Sequence, residues 1–305
     1  MTHALIALWL LSAIPLLFVK KILRMLVYMG VYSLITSIVF LAMGAPDVAL
    51  AEASISIFAT IFFITCFEKY YNLQKEYSVT KLKDYLLPAI FTVVAIFLFL
   101  RVVPTEEVNT YAMVQYITYF AQEVGGENAV TSIYLGYRLY DTVFEALMLI
   151  VAAVAISHVS WHRSAVAQDK RKSIIVSNQV INVIRIICPL LLVFGIYLIV
   201  YGHLSPGGGF QGGVAVAAFL VCKYMVHDIN DLPVSSINKG EKLVFASIVV
   251  AAAFVVFLGL HTYFPPNLAP FLQNVFLITM NSLLGMKVAL GFTMLFYRFI
   301  AIERL

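Results

Sequence analysis

Apolar residues run through this chain in long blocks, not in alternation with polar ones. A helix needs about 20 such residues to cross the hydrocarbon core of a bilayer. Blocks approaching or exceeding that length fall at 4–19, 22–43, 48–67, 85–103, 129–157, 183–201, 213–225, 243–260 and 272–299. The first and seventh are short, the seventh is expected to begin nearer Phe210, and the last is long enough to tilt. Period-two alternation, the mark of a membrane barrel, is missing from them. Helices are the other way to cross lipid with every backbone N–H and C=O satisfied. The pattern therefore predicts an all-α, polytopic membrane protein with about nine transmembrane helices.

Composition agrees, and charge adds a direction. The chain of 305 residues is 62% hydrophobic and 12% charged, with a mean hydropathy of +0.94; soluble domains are about half apolar and about a quarter charged. Placing the amino end outside puts 17 of the 20 Lys and Arg residues in or beside inner loops, leaving Arg101, Arg138 and Lys287. That asymmetry is the one the positive-inside rule describes, and it predicts a cytoplasmic carboxyl end. Met1-Thr2-His3 gives the first block no basic flank, and Lys20-Lys21 follows it, so a retained first span is expected, not a cleaved signal peptide. The net charge of +4 lies in loops between spans and is not read as affinity for nucleic acid. Cys66, Cys188 and Cys222 have no ligand spacing; they read as small core residues, with a disulfide or metal role as the alternative.

Two polar linkers, 68–84 and 158–178, divide the nine blocks into groups of three, two and four. The inverted repeat of many secondary transporters is not visible. Between the fourth and fifth blocks, residues 104–128 carry Glu106, Glu107, Glu123 and Glu127 and no base. Tyr111, Val114, Ile117, Tyr119 and Phe120 there suit a short helix that lies on the membrane or packs on a partner.

Ionisable residues within spans are costly and commonly face a bundle interior or a water-filled path. Asp47 follows Pro46 at the start of the third block, where it either caps the first turn or serves an ion path. Glu52 lies ~7.5 Å deeper by helical rise, beyond the reach of capping; it belongs to an ion path or a buried pair, or it snorkels to the interface. Arg138, Asp141 and Glu145 are spaced by three and four, on one helix face with Tyr134. Arg138 can pair with Asp141. Glu145, deeper still, is either half of an interhelical salt bridge or a carboxylate that exchanges a proton or a sodium ion. Lys287 has no acid within its own helix and must find a partner on another helix or lose its proton.

The stretch Tyr201-Gly-His-Leu-Ser-Pro-Gly-Gly-Gly-Phe-Gln-Gly-Gly213 holds six glycines and a proline between two spans. It is a tight turn or a place where helices, or a partner, approach closely through Pro206, Gly207, Gly208, Gly209, Gly212 and Gly213. It lacks the Lys-Ser/Thr of a phosphate loop. His203 within it is a titrating group or a satisfied turn histidine.

At these residues a resemblance enters. Residues 189–220 resemble the B subunit (MrpB, or MnhB) of Mrp-type multisubunit Na+/H+ antiporters. Residues 44–53 resemble the carboxy-terminal region of the large A subunit, related to the D-type subunits (MbhD) of membrane-bound hydrogenases. Tyr137-Arg-Leu-Tyr-Asp-Thr-Val-Phe-Glu145 resembles the adjoining E-type (MbhE) portion, where the family usually has Gly in place of Phe144. The chain then reads as a fusion of a D-like three-helix segment (1–84), an E-like two-helix segment (85–165) and a B-like four-helix segment (166–305). The resemblance implies a prokaryotic plasma-membrane subunit lining or supporting a Na+/H+ path, with Glu52 and Glu145 as its acids and Na+ or H+ as the transported ions. It implies no cofactor or metal in the chain. The partners would be large antiporter-like subunits and small C-, E-, F- and G-type subunits. Such modules serve Mrp antiporters and the Mrp-coupled hydrogenases and sulfur reductases, and nothing in the sequence selects among them. No catalytic chemistry is legible in the chain, so any redox step would belong to other subunits. Two further readings stand beside this one: a structural scaffold that joins neighbouring subunits without carrying ions, and a free-standing carrier.

Overall fold

The computed structural model describes residues 9–16, 19, 21–70, 90, 93–94, 97, 110–163, 178–226, 234–258 and 269–301. Most of the fourth predicted span and of both linkers, and Cys66, lie outside the residues or side chains so described.

The apolar blocks fold as helices. These are α1 (Ile22–Ala42), α2 (Pro46–Tyr70), α3 (Tyr111–Glu123), α4 (Ala129–Ser132), α5 (Leu139–Arg163), α6 (Asn178–Tyr201), α7 (Gly209–Val226), α8 (Val234–Leu258) and α9 (Ala269–Ala301). Residues 9–16 are helical too, and Trp9 stacks on Tyr32 of α1 and donates to Thr36. Among the described residues there is no strand. Six of these helices, α1, α2, α5, α6, α8 and α9, are long and apolar enough to cross a membrane, and α7 is a shorter apolar helix. The chain is thus a multi-pass, all-α membrane protein.

The fifth block differs from its prediction. A continuous helix was expected over 129–157, but residues 133–137 form a π-turn between α4 and α5. Arg138 N–H bonds back five residues, to Ile133 O at 2.8 Å, and the Thr142 hydroxyl occupies the freed carbonyl of Tyr134 at 2.6 Å. A π-turn inserts one residue into the helical ladder and rotates the residues beyond it. The seventh span begins at Gly209, as the sequence suggested, because the glycine turn before it permits the chain to reverse within a few residues.

α9 is the axis of the bundle. Leu277, Met280 and Leu284 on one face meet Leu139 and Ala146 of α5 and Val244, Ile248 and Ala252 of α8. Val288 and Phe296 on another meet Phe58 of α2 and Val214, Ala217, Ala218 and Val221 of α7. The Phe58 and Phe292 rings pack edge to face, 4.8 Å apart. Small residues set the close crossings. A Cβ on Gly213 would lie 2.6 Å from the Gly285 carbonyl oxygen, and one on Gly212 would lie 2.6 Å from that of Gly195. α7 therefore touches α9 and α6 backbone to backbone, a mode that small residues permit in membranes.

Candidate functional site

A polar junction at the glycine-turn end ties distant parts of the chain together. Asn128 caps α4, its Oδ1 accepting from Val130 N and Thr131 N. Its Nδ2 is shared among Asp47 Oδ1 (2.9 Å), Gly202 O (3.1 Å) and Ser205 O (3.0 Å). Asp47 Oδ1 also accepts from Gly207 N at 3.0 Å. The expectation that Asp47 caps its own helix needs correcting on this point. It sits in the first turn of α2, but its hydrogen bonds run across to Asn128 and the glycine turn. The positive φ of Gly208, +145°, presents its N–H to Leu198 O at 3.1 Å, and the turn closes on α6. His203 is buried as a turn histidine; Nδ1 donates to Val200 O at 3.0 Å, and its carbonyl accepts from Glu127 N and Asn128 N. Pro206 is exposed beside them.

Below the junction, Tyr134 leaves the stripe on which the sequence placed it. The π-turn separates it from Arg138, and its hydroxyl donates to Asn281 Oδ1 of α9 at 2.6 Å. Gly209 N donates to the same oxygen at 3.1 Å, whereas the buried Asn281 Nδ2 has no partner among the described residues. Arg138 and Asp141 form the anticipated pair at 2.6 Å, with both side chains 61% exposed.

Tyr134 opens onto a cavity of about 240 Å³ between α5, α7 and α9. Its polar walls are Tyr134, Thr142, Glu145, Gln211 and Lys287, and its apolar lining includes Leu149, Phe210, Leu284 and Val288. Lys287 is fully buried and is paired with Glu241 of α8, itself buried. Glu145 reaches the same cavity, and its carboxylate has no hydrogen bond or ion pair among the described residues. The cavity thus brings together a carboxylate from α5 and a lysine from α9 whose partner, Glu241, stands on α8. Glu52 stands apart, half-buried and bonded to Ser33 of α1.

Sequence reasoning missed two contributors. Glu241 looked like part of a charged loop, Lys239-Gly-Glu-Lys242, because α8 begins earlier than the apolar block. The unassigned acid nearest a span end was the available signal for a partner to Lys287. Asn128 looked like an ordinary loop polar residue, and nothing local marks a cap that reaches three other segments.

Comparison with known proteins places this arrangement. Residues 180–303 match the family model described as a domain related to the MnhB subunit of Na+/H+ antiporter, and residues 7–71 match the MbhD family, the D subunit of MBH. The provisionally named antiporter subunit mnhA2 of Staphylococcus aureus is 29% identical over 165 residues, 52% of this chain and 20% of that protein. The chain therefore spans about one fifth of that relative's length. The fold resembles the Mrp complex from Dietzia sp. DQ12-45-1b, with a TM-score of 0.67 and 17% identity, over 95% of this chain and 34% of that one. It also resembles the membrane-bound sulfane sulfur reductase, an archaeal respiratory membrane complex, with a TM-score of 0.55 and 22% identity, over 70% of this chain and 97% of that one. One polypeptide thus carries a segment that matches the MbhD family and a domain that matches the MnhB-related family.

Proposed function

We propose that this chain is a membrane subunit of a multisubunit cation/proton antiporter module, and that the cavity walled by Glu145 and Lys287 lies on its ion path. One observation carries the reading: a carboxylate without a partner among the described residues faces the same cavity as a buried lysine whose counter-charge sits on another helix. A carboxylate in such a place accepts a proton or a cation. The Lys287 ammonium raises the cost of a second cation nearby, and Glu241 offsets that cost by sharing its charge. Na+ or H+ is the transported ion in this reading. Nine spans run from an outer amino end to a cytoplasmic carboxyl end, in a prokaryotic plasma membrane. Large antiporter-like subunits and small C-, E-, F- and G-type subunits are the neighbours, within an Mrp antiporter or a respiratory hydrogenase or sulfur-reductase complex.

The test is cation-driven proton movement in proteoliposomes that hold the purified complex. Glu145→Gln is expected to leave the complex assembled and to abolish that movement; an assembled complex that still exchanges cations for protons refutes the reading. A second reading, a scaffold that only joins subunits, draws on the Asp47–Asn128–Gly207 junction and the glycine crossings of α7. It expects Glu145→Gln to transport normally and Gly213→Leu to dissociate the complex.

A further inference from the structure

α5 has two unlike faces. Leu139, Thr142, Ala146 and Ala153 are buried against the bundle. On the other side Arg138, Asp141, Phe144, Glu145 and Met148 are exposed. Counted from Leu139, where the stretch long and apolar enough to cross a membrane begins, Glu145 lies ~9 Å along the helix, with Arg138 and Asp141 at the edge of that stretch. In a hydrocarbon core about 30 Å thick, a glutamate side chain at that depth does not reach the lipid headgroups. A carboxylate facing acyl chains there is costly. The pair of Arg138 and Asp141 neutralises itself, which leaves the Glu145 carboxylate as the uncompensated charge on this face. The same carboxylate lines the cavity, so the cavity wall is incomplete on this side.

We infer that this face of α5 is the seat of a transmembrane helix from another subunit, and that the helix carries a lysine or arginine level with Glu145. Charge complementarity selects the occupant. Lipid supplies no countercharge at that depth, and a second copy of this face brings a second carboxylate against the first. Phe144 and Met148 on either side of Glu145 give the occupant apolar surface to cover. The inference rests on the membrane-module reading above, and its test does not depend on transport.

A photo-crosslinking amino acid is placed at Phe144 or Met148 in the purified native complex, with buried Ala153 as control, and the linked peptide is identified by mass spectrometry. The expected result is an adduct from both exposed positions, and none from Ala153, with a single membrane-spanning segment of a different subunit that contains a lysine or arginine. Glu145→Lys is expected to abolish the adduct, and reversing the partner's basic residue to glutamate is expected to restore it. Adducts with lipid alone, with a second copy of this chain, or with a span lacking any basic residue overturn the inference. So does an adduct that persists undiminished in Glu145→Lys. Loss of antiport in Glu145→Gln with no such adduct separates failure of this inference from failure of the functional reading.

Discussion

Asn128 and Lys287 show how much rests on single side chains. The Asn128 amide satisfies two helix N–H groups and three acceptors. Asn128→Ala leaves the Val130 and Thr131 N–H groups uncapped and removes one of the two donors to the buried Asp47 carboxylate, and unsatisfied buried groups cost about 1–3 kcal/mol each. A lower midpoint in denaturant titration of the detergent-purified protein is therefore expected, and Asn128→Asp is expected to be worse because it sets a second acceptor against Asp47. Lys287 and Glu241 are a buried pair, and removing one partner of such a pair typically costs about 3–5 kcal/mol. Lys287→Met and Glu241→Leu are each expected to destabilise strongly, and the double variant is expected to recover much of the loss. Equal additive losses in that double-mutant cycle would show that the two groups do not interact.

At the level of elements, glycine decides which helices meet. The seventh span is short and weakly amphipathic, yet its Gly209, Gly212 and Gly213 let it press against α6 and α9 where larger side chains hold helices apart. Gly213→Ala inserts a methyl 2.6 Å from the Gly285 carbonyl oxygen. Overpacking of this kind costs about 1–3 kcal/mol, and the same substitution at Gly240, whose nearest side-chain neighbour is 3.9 Å away, is expected to cost little by comparison. Thermal unfolding of the two variants side by side measures the difference. The π-turn is a second element-level device. It turns Tyr134 toward Asn281 while Arg138 stays on the opposite side, and Thr142 supports it through the Tyr134 carbonyl. Thr142→Val keeps the shape but leaves that carbonyl unpaired. It is expected to weaken the Tyr134–Asn281 contact and to expose Tyr134 to faster quenching by water-soluble agents.

Across the whole molecule, the segments matched by two separate family models are joined through side chains that neither would need alone. Asp47 lies within 7–71 and Gly207 within 180–303, and their hydrogen bond, with Asn128 between them, locks the two segments at one end. The proposed topology makes a measurable claim of its own. Single cysteines introduced at Ser205 and Ser236, beyond opposite ends of α7, are expected to react with membrane-impermeant maleimide from the outside and from the inside of the cell respectively. Both reacting from one side would contradict the orientation.

The sequence by itself determined where the described apolar helices run, the membrane setting and the suspect charges. Each of these depends on local composition and on the cost of putting polar groups in lipid, and both are written into neighbouring residues. The pairing of Arg138 with Asp141 was legible for the same reason, since three residues along one helix fix the geometry. What only the tertiary structure decided was partnership over long separations. Glu241 meets Lys287, Asn128 meets Asp47, and Tyr134 meets Asn281 because helix packing brings them together. Their order along the chain carries no trace of that packing. The π-turn belongs with these, because one inserted residue leaves the apolar block unchanged and yet redirects the face that reads from it.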